Sequence, residues 1–240
     1  MKIQTVFERT ETKYILTLSQ RRALLEKIEQ YVKPDEYGES TVCSLYFDTD
    51  NHRLIRQSME KPTYKEKLRL RSYGTPKRDG NVFLELKKKY NGVVYKRRLT
   101  LSYNAAMAYI RRSVLPEDSQ IMREIDWAMK YYEGIAPKMF IAYDRTAFYS
   151  KQDHELRVTF DRNVRFRTDN LDLAKGNYGE RILDPSLCIM EIKALSAMPM
   201  WLTKALGELK IYPGSFSKYG TAYQLTEQRK MMYKGGLNCA

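Results

Sequence analysis

Between residues 64 and 101 the chain alternates charged and apolar positions. Residues 64–73 carry Lys65, Lys67, Arg69 and Arg71 at every second place. Side chains alternate along a strand, so these four share one face. Residues 82–90 put Phe83, Glu85, Lys87 and Lys89 on one face and Val82, Leu84 and Leu86 on the other. Residues 93–101 set Val94, Lys96 and Arg98 against Val93, Tyr95 and Leu99. Asn91-Gly92 between the last two runs is the strongest hairpin signal in the chain. The pattern predicts three strands, each with one mainly cationic and one largely apolar face.

Around this block the pattern predicts further elements. Residues 9–16 read as a short charged strand with Arg9, Glu11, Lys13 and Ile15 on one face. Ser19 reads as the N-cap of a helix through Ala23, Leu24, Ile28 and Tyr31, ended by Pro34. Residues 41–48 read as a strand, and Asn51 as the cap of a helix over 52–59. Helices follow over 103–112, from Glu117 or Asp118 to Pro137, and over 200–209. Strands are expected over 139–149, 155–161 and 187–194, with 164–167 extending or pairing with the second. Residues 169–179 and 213–220 read as loops. No repeat or linker divides the chain, so one domain over 1–229 is expected, with 230–240 as a loose tail.

Composition narrows the class. Of 240 residues, 43% are hydrophobic, enough to bury a core. The net charge of +13 implies a polyanionic partner: nucleic acid, an anionic membrane or a phosphate-rich small molecule. Cys43, Cys188 and Cys239 are far apart and suit no disulfide framework or zinc knuckle, which fits a reducing, cytoplasmic compartment. The start of the chain does not read as a signal peptide, and no apolar run approaches the ~20 residues that span a bilayer. With only His52 and His154, a His-based zinc site or a Ser-His triad is disfavoured.

The direction of the charged faces decides the function. They can face water, as in an ordinary half-solvated antiparallel sheet. If the strands close into a barrel under their helices, the same faces line a polar lumen. Lys13, Lys67, Arg69, Arg71, Lys87, Lys96, Arg98, Arg145, Arg157 and Lys193 would then converge, offset by Glu11, Glu85, Asp161 and Glu191. Two like charges ~4 Å apart repel by ~4 kcal/mol at an effective dielectric of about 20. Such a lumen needs bound phosphates or abundant water. Its carboxylates are candidate ligands for a hard divalent cation that shares the substrate phosphates.

An ordered series of motifs then resembles one family. They are Glu11-Thr12-Lys13-Tyr14, Leu-Arg-Leu-Arg-Ser-Tyr at 68–73, Glu-Leu-Lys at 85–87 and Tyr-Asp-Arg-Thr-Ala-Phe at 143–148. Leu-Arg-Val-Thr-Phe-Asp at 156–161, Met-Glu-Ile-Lys at 190–193 and Ser-Phe-Ser-Lys-Tyr at 215–219 complete it. The chain resembles, over about residues 5–225, the vacuolar transporter chaperone (VTC) domain family. This is the polyphosphate polymerase branch of the CYTH, or triphosphate tunnel, superfamily. The resemblance implies an α+β fold, an antiparallel β-barrel tunnel wrapped by helices. It implies a metal-dependent enzyme that moves the γ-phosphate of ATP onto polyphosphate.

By the same resemblance, Lys13, Arg69, Arg71, Lys87, Lys96, Arg145, Arg157 and Lys218 match phosphate-gripping residues. Tyr143 and Ser217 match polar phosphate contacts, and Glu191 a ligand for Mn²⁺ or Mg²⁺. Lys67, Arg98 and Lys193 share the same faces, and Glu85 and Glu11 are weaker metal candidates. Lys65 and Lys89 sit at the strand ends as entrance residues, while Lys88, Lys89 and Arg97 read as a solvated rim. Where the broader superfamily begins Glu-x-Glu-x-Lys, this chain has Arg9, which argues against a two-metal hydrolase. The nucleophile would be a terminal phosphate oxygen of the acceptor chain, already ionised, so no protein base is needed. The alternatives are a triphosphatase or nucleotide hydrolase of the same fold and a non-catalytic binder of polyphosphate or RNA. No specific nucleic acid is expected, any coupling to transport would need separate subunits, and a separate membrane partner is one such candidate.

Overall fold

Antiparallel strands in each of two units bury an apolar face under helices. The computed structural model describes residues 10–236 except 92, 154 and 196. Arg9, Gly92, His154 and Cys239, used in the sequence reading, lie outside the described residues. In chain order the elements are β1 (Thr10–Thr17), α1 (Leu18–Ile28), β2 (Val32–Asp48), α2 (Arg53–Met59), β3 (Tyr64–Tyr73), β4 (Asn81–Tyr90) and β5 (Val93–Ser102). Then come α3 (Tyr103–Arg112), α4 (Gln120–Tyr131), β6 (Ala136–Ser150), β7 (Arg157–Arg167), β8 (Glu180–Arg181) and β9 (Leu187–Ala194). The chain closes with α5 (Met200–Glu208), β10 (Pro213–Gly214) and α6 (Lys218–Gly236). Hydrogen bonding orders the strands β10-β1-β9-β7-β6-β2-β3-β4-β5, with β8 beside β7, so this path is open at β10 and β5.

The backbone groups into two units, each built from three separated segments. The first comprises Met1–Thr41, Tyr143–Val164 and Leu183–Phe216. In it β1 lies antiparallel to β9, pairing Glu11 with Lys193 and Lys13 with Glu191. Across β9, Thr159 of β7 opposes Glu191 and Arg157 opposes Lys193. The opposite faces of these strands carry Tyr14, Leu16, Val158, Phe160, Met190 and Ile192. They are buried with Leu24 and Ile28 of α1 and Leu202, Ala205 and Leu206 of α5.

The second unit comprises Val42–Ala142, Arg165–Ile182 and Ser217–Ala240. Its strands β2, β3, β4 and β5 pair in sequence order. Leu45, Leu68, Leu70, Leu84, Leu86, Leu99 and Leu101 form the apolar face, buried with Ala106 and Met107 of α3 and Met122, Ile125 and Ala128 of α4. Each such side chain contributes roughly 1.5–3 kcal/mol by leaving water. Residues 169–179 wrap around Arg167. Its guanidinium lies 3.6 Å from the centroid of Phe140 and 4.4 Å from that of Tyr178. It donates to the carbonyls of Asn170, Asp172, Gly176 and Tyr178.

Several boundaries differ from the sequence reading. The α1 N-cap is Thr17, not Ser19, because Thr17 and Gln20 form a reciprocal capping box. That helix stops at Ile28, and Pro34 lies inside β2, which starts nine residues before the expected Thr41. Pro34 and Gly38 mask this half of the strand, since both residues usually read as breakers. Helix α4 is capped by Ser119, and Pro137 lies in β6. Residues 157–167 form one continuous strand. Pro213 and Gly214, read as loop, pair with Tyr14 and Lys13.

Helix α6 was the element the pattern missed, and it carries the chain through Lys230 to Gly236, where a tail was expected. Apart from Leu225, residues 224–230 are polar and offer no apolar stripe. What holds its first turn is Tyr219, whose hydroxyl donates to Asp48 at 2.9 Å. The Asp48 carboxylate also accepts from the backbone N–H groups of Leu54 and Ile55. It caps α2 in place of Asn51, while His52 turns the chain with φ 55°. Asp48 is fully buried. Replacing it with Ala strands these donors, so Asp48→Ala should lose about 3 kcal/mol of unfolding free energy in urea titrations. A loss under ~1 kcal/mol would contradict this role.

Candidate functional site

The charged face of β3–β5 is organised in cross-strand rows. One row runs Tyr46, Arg69, Glu85, Arg98, and a second Ser44, Arg71, Phe83, Thr100. A third aligns Lys67, Lys87 and Lys96. At the strand ends Lys65 opposes Lys89. On these three strands the face thus carries eight cations and one acid. Glu85, only 1% exposed, is its centre. Arg69 Nε approaches Oε2 at 2.6 Å, while Lys96 Nζ and Arg98 reach Oε1 at 2.7 and 2.6 Å. Arg71 Nε is 3.9 Å from Oε2. Burial alone would raise the Glu85 pKa, but Arg69, Arg71 and Lys96 outweigh it and hold the carboxyl far below its usual range. Burial drives Lys96 down to about 8 although Glu85 opposes the shift.

Tyr46 belongs to this cluster, and the sequence reading passed over it. Its hydroxyl oxygen accepts from Arg69 Nη1 at 3.2 Å, and its ring stacks on Tyr219 at 4.8 Å. Burial would raise its pKa, but Arg69, Arg71 and Lys67 prevail and bring the phenol down to about 8. Ser44, also missed, accepts from Arg71 Nε at 3.5 Å. The available signal was the period-two run Ser44, Tyr46, Asp48 within the expected strand.

The first unit carries a second cluster. Lys193 Nζ is 2.8 Å from Glu191 and 3.9 Å from Glu11. Lys13 Nζ is 3.5 Å from Glu11 and 4.0 Å from Glu191. Two carboxylates therefore share two ammonium groups in alternating sign. Burial would raise Glu191, but Lys193, Lys13 and Arg145 outweigh it and keep the carboxyl strongly ionised. Arg145 makes a two-pronged contact to Asp161, at 2.6 and 2.8 Å, with its guanidinium 5.1 Å from the Tyr143 ring centroid. Arg157 contacts Asp35 at 3.1 Å, and among the described residues its buried Nε has no hydrogen-bond partner.

The proposed site residues therefore fall into groups. Lys67, Arg69, Arg71, Glu85, Lys87, Lys96 and Arg98 share one face. Glu11, Lys13, Glu191 and Lys193 form the second, with Tyr143, Arg145 and Arg157 on neighbouring strands. Ser217 and Lys218 stand at the start of α6, where Ser217 Oγ accepts from Gly220 N–H at 3.1 Å. The rim residues Lys88 and Arg97 reach Glu66 and Glu124.

The candidate metal ligands differ in fit. Both Glu85 oxygens already face closely bound cations, which is ion-pair geometry. Glu11 and Glu191 offer paired hard oxygen donors at a place that holds ammonium charge, the donor chemistry that a hard divalent cation takes. Among the described residues, no three of His, Cys, Asp and Glu converge as a metal cluster.

Comparison with known proteins identifies the family and the fold. The VTC domain profile matches residues 8–227. The chain belongs to the VTC domain family. Among solved structures, a candidate adenylate cyclase from Bacillus halodurans aligns with TM-score 0.56 and 14% identity, covering 86% of this chain and 92% of its own. A candidate adenylyl cyclase from Hippeastrum, reported to have a dominant triphosphatase activity, aligns with TM-score 0.52 and 14% identity, covering 87% and 92%. These likenesses show a shared fold, the α+β triphosphate tunnel fold expected for the VTC domain. No curated protein matches the sequence.

Two outcomes test the geometry. Glu85→Gln removes one partner of a buried ion cluster and should cost about 2–4 kcal/mol, less than a fully buried pair because Lys96 and Arg98 are partly solvated. The folded-state pKa of Glu85 is depressed, so its stabilisation is complete above the unfolded value of ~4.3 and fades as pH falls below it. The stability gap between wild type and variant should therefore narrow in acid; a gap independent of pH would refute the assignment. For Tyr46 the folded pKa also lies below the unfolded one. Its contribution is complete above pH ~10 and is lost as pH falls through about 8. Absorbance titration at 295 nm should show one tyrosine ionising near pH 8, absent from Tyr46→Phe.

Proposed function

We propose that this VTC-domain chain is a metal-dependent polyphosphate polymerase. It would transfer the γ-phosphate of ATP to the end of a polyphosphate chain. The observation that carries this reading is the β3–β5 face, with eight cations and one acid on three adjacent strands. A half-buried face of this composition is complementary to a polyanion with closely spaced charges. Phosphoryl transfer spreads charge over phosphoryl oxygens, so it needs positioning and countercharge more than a protein base.

Arg69 and Arg71 would present forked donors to successive phosphates, with Lys67, Lys87, Lys96 and Arg98 as neighbouring charges. Arg145 and Arg157, already oriented by Asp161 and Asp35, would hold the triphosphate with Tyr143. Ser217 and Lys218 would contact phosphates from the start of α6. Glu191 with Glu11 would hold Mn²⁺ or Mg²⁺, beside Lys13 and Lys193; when bound, the ion would neutralise phosphate oxygens. A terminal oxygen of the acceptor chain forms the new P–O bond. The bond between the β- and γ-phosphates breaks, and ADP leaves with its electron pair.

Incubation with ATP and Mn²⁺ should yield long polyphosphate on gels, together with stoichiometric ADP. Glu191→Gln should lower kcat by about 10²–10³-fold, the scale of losing one preorganised electrostatic group. Arg69→Ala should mainly raise KM for ATP. Free phosphate without chains would instead identify a triphosphatase. No turnover, with tight polyphosphate binding that Glu191→Gln leaves intact, would identify a binder.

A further inference from the structure

The hairpin joining β4 and β5 presents an apolar tip inside a cationic collar. The sequence runs Lys87-Lys88-Lys89-Tyr90-Asn91-Gly92-Val93-Val94-Tyr95-Lys96-Arg97-Arg98, with six cations, of which Lys88, Lys96, Arg97 and Arg98 contact Glu66, Glu85 and Glu124 outside this run. Tyr90, Val93, Val94 and Tyr95 are 57%, 42%, 47% and 50% exposed. Helix α4 contributes Trp127, stacked on Tyr131 at 5.1 Å, both more than half exposed. Lys88 connects the two elements, opposing Tyr95 in the ladder with its Nζ 5.9 Å from the Trp127 ring centroid. The core of this unit uses none of these six apolar side chains, and clustered exposed apolar surface of this kind marks an interaction site.

We propose that this tip docks peripherally on a bilayer containing anionic lipids. Val93 and Val94 are successive strand residues, so their side chains leave opposite faces of the hairpin. A flat protein partner would cover one face, whereas entry into a headgroup layer covers both. Tyr and Trp place an apolar ring and a polar edge, which suits the interfacial zone. Lys88 and Lys89 then lie level with anionic headgroups, giving the collar its complement. Among the described residues no helix is long and apolar enough to cross a membrane, so the contact is superficial. The inference is independent of the chemistry proposed above.

The test uses the full chain carrying Trp201→Phe, which leaves Trp127 as the single indole. With vesicles containing 30% phosphatidylglycerol, flotation should carry the protein upward, and Trp127 emission should shift to the blue and be quenched by brominated lipid. Pure phosphatidylcholine vesicles should bind far less. Val93→Asp with Val94→Asp should abolish flotation while circular dichroism and thermal midpoint stay unchanged. Lys88→Gln with Lys89→Gln should weaken partitioning by about 25-fold, roughly fivefold per basic side chain at an anionic surface. Failure to float, equal binding to neutral vesicles, or flotation that survives the aspartate pair would overturn the proposal. So would a dimer in sedimentation velocity that the aspartate pair dissociates, with no vesicle binding by the wild type.

Discussion

The carboxylate of Glu85 sits where β3, β4 and β5 bring Arg69, Arg71, Lys96 and Arg98 together, and it is almost completely out of water. Cations this close repel strongly at the low dielectric of a half-buried face. One acid reduces that repulsion and fixes the guanidinium planes without cancelling the charge. The face remains net positive, with its donors already aimed. An incoming anion would compete with Glu85 for them, so a single phosphate gains less than a chain that engages several positions at once. The Glu11–Lys13–Glu191–Lys193 square solves the same problem with equal numbers of each sign.

The legible part of this architecture was the part written with period two. The alternation in residues 64–101 fixed strands β3 to β5, and the register then joined Arg69 to Glu85 and Arg98 as the charged faces implied. The helices that cover the apolar face were visible in residues 103–131 by their spacing. Pattern alone left two directions for the charged faces. The burial of Leu68, Leu70, Leu84 and Leu86 beneath α3 and α4 shows which face makes the core.

The illegible parts have separate physical causes. Pro34 and Gly38 hid half of β2, because a strand can absorb residues that usually interrupt one. Asp48 caps α2 from four residues before its N-cap, beyond the range of a local capping signature. Tyr46 joins the site because Arg69 and Tyr219 reach it, and neither is a sequence neighbour. Helix α6 is secured by separate contacts of Tyr219, Tyr223 and Arg229 rather than by a stripe. The sequence also shows no linker between the two units, since each is assembled from three segments and the strands β2, β6 and β7 run through both.

The pairing of β1 with β9 has a consequence for how the chain is made. Residues 10–17 hydrogen-bond to residues 187–194, and Lys13 meets Glu191 only there. A ribosome must therefore extrude residues 187–194 before β1 acquires this neighbour. Until then the nascent chain carries an open ladder edge, and the closure entropy of a very long loop opposes its sealing. Assembly from the amino terminus onward is excluded for this unit. The second cluster, which joins Glu11 and Lys13 to Glu191 and Lys193, cannot form until β9 has been made.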